Sequence, residues 1–132
     1  MQDFRKLEVW QEAQDFSVAI HGATSRLRGA EGAALRGQLR RAALSIGANI
    51  AEGTGTESPR RFAAFLQNAI ASASEVESHL DALGRLGMIP TRQLAQLATD
   101  VVRIRRRTIA LRKRVLDAGK PNTQDQKPET QD

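Results

Sequence analysis

Leu39-Arg-Arg-Ala-Ala-Leu-Ser-Ile-Gly-Ala-Asn-Ile-Ala-Glu-Gly53 is the stretch whose reading decides the fold. It reads as one helix with two lines along it. One line is apolar (Leu35, Leu39, Ala43, Ile46, Ile50) and the other polar (Arg41, Ser45, Asn49, Glu52). Both follow the spacing of three and four residues that places side chains on one helical face. Between them sit Ala42, Gly47, Ala48 and Ala51, too small to hold a neighbouring element at a distance. Such a lean helix suits close approach by other helices, and its polar line needs partners.

Working outward, residues 5–28 carry a heptad stripe of Val9, Ala13, Phe16, Ile20, Ala23 and Leu27, widened by Leu7 and Trp10, with Asp3 as a candidate N-cap. Gly29-Ala-Glu-Gly32 reads as a turn, and the organising helix then covers 33–53. Gly53 and Gly55 are suited to the positive φ of a helix C-cap. Ser58-Pro59 is a helix start, with an acceptor at the N-cap and a residue whose missing N–H costs nothing at the first position. A third helix is predicted over 59–86, with the stripe Phe62, Leu66, Ala69, Ala73, Val76, Leu80 and Leu83 and a polar line of Asn68, Ser72, Glu75 and His79. A fourth is predicted over 91–116, with Leu94, Leu97, Val101, Ile104, Thr108, Leu111 and Val115. From Gly119 onward only Gly, Lys, Pro, Asn, Thr, Gln, Asp and Glu occur, so 119–132 is expected to be a disordered polar tail. Strand signals are nearly absent. The expectation is an all-α, up-down-up-down antiparallel four-helix bundle over 1–118.

The composition narrows the chemistry. There is no cysteine, which excludes disulfides and thiolate metal sites, and His21 and His79 are the only imidazoles. No apolar run is long enough to span a bilayer, and the first residues lack the apolar core of a signal peptide, so a cytoplasmic protein without membrane contact is expected. No phosphate-cradling glycine loop is present. Glu52 and Glu75 are conceivable paired carboxylates, but the Glu-x-x-His spacing of di-iron bundles fails, because Ser78 stands three residues after Glu75 and His79 four. Neither metal, cofactor nor catalytic residue is expected. The polar lines read instead as a hydrogen-bonded network, with Arg41–Glu75 or Arg40–Glu75 as a charge-assisted pair. Whether these lines face each other, a symmetry partner or a central channel stays open at this point.

The fourth helix is the best ligand-facing feature. Arg103, Arg105, Arg106, Arg107, Arg112, Lys113 and Arg114 are opposed within it only by Asp100 and Asp117, and the chain carries a net charge of +5. A solvated helix surface usually alternates signs, and this one does not. RNA or DNA backbone binding is therefore expected, through phosphate neutralisation and counterion release. Aromatic residues are missing from that helix, so base stacking there is not expected. The competing reading pairs these cations with Glu8, Glu12, Glu77 and Asp81 on neighbouring helices.

Arg40-Arg-Ala-Ala-x-Ser-Ile-x-x-Asn-Ile-Ala-Glu-Gly53 resembles the mark of a family of small bacterial four-helix-bundle proteins. That family includes proteins encoded in intervening sequences of 23S ribosomal RNA genes. The likeness extends to the opening Phe4-Arg-Lys-Leu7-x-Val-Trp10 with Ala13, to Ser58, Phe62 and Phe65-Leu66, to Ala71-Ser72-x-x-Glu75-x-Glu77-x-x-Leu80 and to Leu86-Gly87. One departure is Thr56, where members often carry Arg. The resemblance implies the bundle fold. Through likeness to the accessory variability protein of diversity-generating retroelements, it also implies a homopentameric assembly with a basic surface and nucleic-acid or reverse-transcriptase partners. It assigns Arg40, Arg41, Ser45, Asn49, Glu52, Gly53 and Glu75 to packing and assembly, and implies no enzymatic chemistry.

Overall fold

The computed structural model describes residues 3–121. After a short 3-10 turn over Phe4–Lys6, four helices follow: α1 (Glu8–Thr24), α2 (Gly29–Thr54), α3 (Pro59–Arg85) and α4 (Thr91–Ala118). They alternate in direction. Arg40 of α2 reaches Thr24 at the end of α1, Ser45 meets Ser72 across α2 and α3, and Arg105 meets Glu77 across α3 and α4. The bundle closes where Glu12 of α1 takes Arg103 and Arg107 of α4. Among the described residues there is no strand, and no helix is long and apolar enough to cross a membrane.

The predicted stripes form one continuous core. Ile20, Leu39, Ile46, Ile50, Leu66, Leu80, Leu83 and Ile104 are among its largest fully buried side chains. Burying each such side chain contributes roughly 1.5–3 kcal/mol. Two buried threonines on the stripes return their hydroxyls to their own helix: Thr24 Oγ1 donates to Ile20 O and Thr108 Oγ1 to Ile104 O, each at 2.7 Å. Burial therefore leaves neither hydroxyl unpaired.

The ends follow side-chain chemistry. Asp3 accepts from Arg5 N and caps the opening turn rather than α1, which starts after an extended Leu7. Ser58 Oγ accepts from Arg61 N, with Pro59 at the first helical position, as the sequence predicts. At the α3–α4 corner Gly87 takes φ +67°, and Met88 N reaches back to Leu83 O at 3.0 Å, a left-handed cap that drops Met88 onto the core.

Three boundaries differ from the expectation. The first corner is residues 25–28, not 29–32. Ser25 Oγ donates to Gly22 O, and Arg40 takes His21 O, so α1 ends early with its last carbonyls satisfied. Gly29, at φ +75°, then opens α2 directly. Gly53 and Gly55 are not positive-φ caps: Gly55 has φ −77°, and Gly53 lies inside α2. The role of Gly53 is close approach, since a Cβ there would lie 2.6 Å from Phe62 Cδ1 and 3.2 Å from Phe65 Cβ. The chain also keeps to the bundle at Gly119, where a Cβ would lie 2.6 Å from Pro59 Cβ. The remainder of the expected tail, 122–132, lies outside the described residues.

Gly53→Val is expected to lower stability by about 1–3 kcal/mol through overpacking against the two phenylalanines. Gly37→Ala, whose new Cβ meets only the mobile tip of Arg41 at 3.1 Å, is expected to raise it by about 0.5–1 kcal/mol through helix propensity. Thermal unfolding followed by circular dichroism checks both, and the two shifts must have opposite signs.

Candidate nucleic-acid interface

The polar line of α2 divides by burial. Ser45 and Asn49 are half-buried on the α2–α3 seam, where Ser45 Oγ and Ser72 Oγ share a hydrogen bond of 2.9 Å. Asn49 Nδ2 donates to Ser45 O at 2.9 Å and to Ser45 Oγ at 3.0 Å. These three residues are the part of the expected network that forms; Arg41, Glu52 and Asn68 are exposed and stand outside it. The expected Arg40–Glu75 or Arg41–Glu75 pair does not form. Glu75 is exposed on α3 and meets His79, one turn along the same helix, at 3.4 Å. Arg40 turns the other way, toward α1, donating through Nε to Thr24 Oγ1 at 3.0 Å and through Nη2 to His21 O at 2.9 Å. The α1 C-terminus offers it two acceptors side by side, the Thr24 hydroxyl and the His21 carbonyl, whereas Glu75 is exposed to solvent. Arg36 likewise takes Leu27 O in the corner. Arg41 and Glu52 are exposed. Among the described residues no group of three or more His, Asp and Glu side chains is placed to hold a metal ion.

The basic residues of α4 fall into two sets. In the middle of the helix, carboxylates neutralise all of them but Arg106. Arg103 lies 3.5 Å from Glu12 and 3.1 Å from Asp100. Arg105 grips Glu77 at 2.6 Å, and Arg107 meets Glu12 and, at 3.8 Å, Glu8. Glu8, Glu12 and Glu77 thus act as the cross-helix partners that the competing reading named, while Asp81 instead pairs with Arg85 at 2.8 Å. Arg106, Arg112, Lys113 and Arg114 have no carboxylate within 4 Å among the described residues. Arg112 is held in place by donating through Nε to Ala63 O of α3 at 3.3 Å.

The antiparallel packing adds cations that the sequence reading passed over. The start of α3 lies beside the end of α4, so Arg60 joins Arg112, Lys113 and Lys120 around a groove of about 790 Å³. Arg61, also exposed, follows on the same turn of α3. Asp117 is the one acid in that lining, and Lys120 holds it at 3.3 Å. A signal was present in Pro59-Arg60-Arg61. Helix N-termini favour carboxylates, yet the first turn of α3 has no acid and two arginines. There the helix dipole and the side chains add positive potential in one place.

A lean antiparallel bundle with a serine–asparagine seam and a cationic groove between α3 and α4 defines a class of small, basic, all-helical proteins. Within that class the chain belongs to the 23S rRNA-intervening sequence protein family, whose model matches residues 5–110. Its structure is also similar to that of a protein of unknown function from the S23 ribosomal protein family of Bacteroides thetaiotaomicron, at 26% identity and a TM-score of 0.72, covering 80% of this chain and 98% of that one. No curated protein matches the chain.

Arg40 and Arg41 are adjacent but play different parts. Arg40→Met is expected to cost about 1–3 kcal/mol by leaving the α1 C-terminal acceptors unpaired, and Arg41→Met to stay within about 0.5 kcal/mol. Urea unfolding of the two variants measures the contrast, and equal effects would remove the capping role.

Proposed function

We propose that this protein is a non-enzymatic, self-associating helical bundle that binds RNA or DNA through the phosphate backbone, with the basic end of the α3–α4 hairpin as its contact surface. One observation carries the reading. Three of the four arginines in the middle of α4 are matched by Glu8, Glu12 and Glu77, while Arg60, Arg112 and Lys113 line one groove and Arg61 and Arg114 lie at the same end of the bundle, none of these five with a carboxylate within 4 Å among the described residues. Unmatched cations on one surface repel each other, and a polyanion relieves that repulsion while releasing its own counterions. The site residues on α4 are therefore Arg112, Lys113 and Arg114, with Arg106 nearby and Arg103, Arg105 and Arg107 serving the bundle.

Self-association is supported by a different face. Val18 of α1 and Leu44 of α2 are 73% and 57% exposed and line one shallow groove. A pentamer is the form that the family resemblance suggests. A scaffold whose basic end meets an acidic protein partner, such as a reverse transcriptase, is the second reading. It draws on the same unmatched cations, and salt dependence on nucleic acid separates the two.

Fluorescence anisotropy with a structured RNA and a DNA duplex across a salt series tests the reading. Binding should weaken steeply with salt, by ~0.9 in the log–log slope for each duplex phosphate contacted. Arg60→Glu, Arg61→Glu, Lys113→Glu and Arg114→Glu together should lower affinity at least tenfold with the thermal midpoint retained. Arg105→Gln should instead lower stability and leave binding near wild type. Unchanged affinity in the fourfold variant contradicts the assignment. Leu44→Glu should reduce the sedimenting mass, and an unchanged mass would remove that face from the assembly.

A further inference from the structure

The groove at the basic end is not built like a surface that only grips phosphates. Its rim is cationic, but its floor is aliphatic: Ile70 and Leu116 are half-buried, and Ile109 remains 43% exposed. Exposing apolar side chains inside a concave, charged site is unfavourable in water, and the backbone of a duplex gives them nothing to cover them, because its bases are stacked inward behind the phosphates. Arg112 completes the arrangement. Its Nε bond to Ala63 O fixes the guanidinium against the groove wall and leaves the Nη donors free. A planar cation held in this way can lie against a base face or fork a phosphate.

Resting on the nucleic-acid reading above, we propose that this groove takes an unpaired nucleotide of a single strand, with the base over Ile109, Ile70 and Leu116 and the flanking phosphates on Arg60, Arg112 and Lys113. The preferred ligand is then a single-stranded segment, such as a loop, bulge or end, rather than a regular duplex. This goes beyond the α4 sequence, where missing aromatics argue against base contacts. The base surface comes instead from aliphatic residues of two helices and from a pinned arginine.

The test uses the full chain and fluorescein-labelled twelve-nucleotide RNA and DNA of one sequence, each as a single strand and as a blunt duplex, at fixed salt. The single strands should bind at least tenfold more tightly than the duplexes. Ile109→Ser should reduce single-strand affinity several-fold and leave duplex affinity, salt slope and melting unchanged, and Ile109→Leu should behave as wild type. Polyglutamate of matched charge should fail to displace the single strand. Equal affinity for single strand and duplex, equal loss of both in Ile109→Ser, or displacement by polyglutamate would overturn the proposal while leaving backbone binding intact. Absence of binding to all four probes at low salt would overturn both readings together.

Discussion

Close approach along α2 is the constraint on which the rest depends. At Gly47 a Cβ would lie 2.5 Å from Gln14 Oε1 of α1, and at Gly53 one would lie 2.6 Å from the Phe62 ring of α3. Two neighbours therefore press on one helix at positions where it has no side chain. Such packing leaves little room for a polar group, and those on the α2–α3 seam are satisfied at short range. Ser45, Asn49 and Ser72 bond to one another, and Arg40 closes the end of α1. A seam of this kind sets register more than it adds stability, since each bond contributes only about 1 kcal/mol net.

That register then decides the electrostatics. With α3 and α4 antiparallel, Glu77 faces Arg105, and Arg112 reaches Ala63. With α1 closing on α4, Glu8 and Glu12 meet Arg107. Glu8, Glu12, Glu77 and Asp100 are thus taken up along the middle of α4, and Arg60, Arg112 and Lys113 are left unmatched where α3 begins and α4 ends. The proposed contact surface follows from which residues the packing neutralises, not from the charge of one helix.

Much of this was legible in the sequence, and the exceptions have physical reasons. The apolar stripes, the Ser58-Pro59 start and the Gly87 corner follow from local periodicity and capping, and the structure keeps them. The first corner was misplaced because glycines at 29 and 32 signal a turn locally, while the chain turns at 25–28 once Ser25, Arg36 and Arg40 supply distant donors to the α1 end. The Glu75 partner was wrong for a similar reason: two arginines within reach of one carboxylate do not show which acceptor is better desolvated. The polar seam itself was readable from Ser45, Asn49 and Ser72. The basic end was only half readable, because Arg60 joins Arg112 and Lys113 through the fold, 52 residues along the chain from Arg112.

The central claim is that nucleic acid sits at the end of the α3–α4 hairpin. Hydrogen–deuterium exchange of the full chain with and without a structured RNA tests it most directly. Binding at that end should add protection in the first turn of α3 and the last turns of α4, with the middle of α4 unchanged. Protection centred on Arg103–Arg107, or on the Val18–Leu44 face, would contradict it.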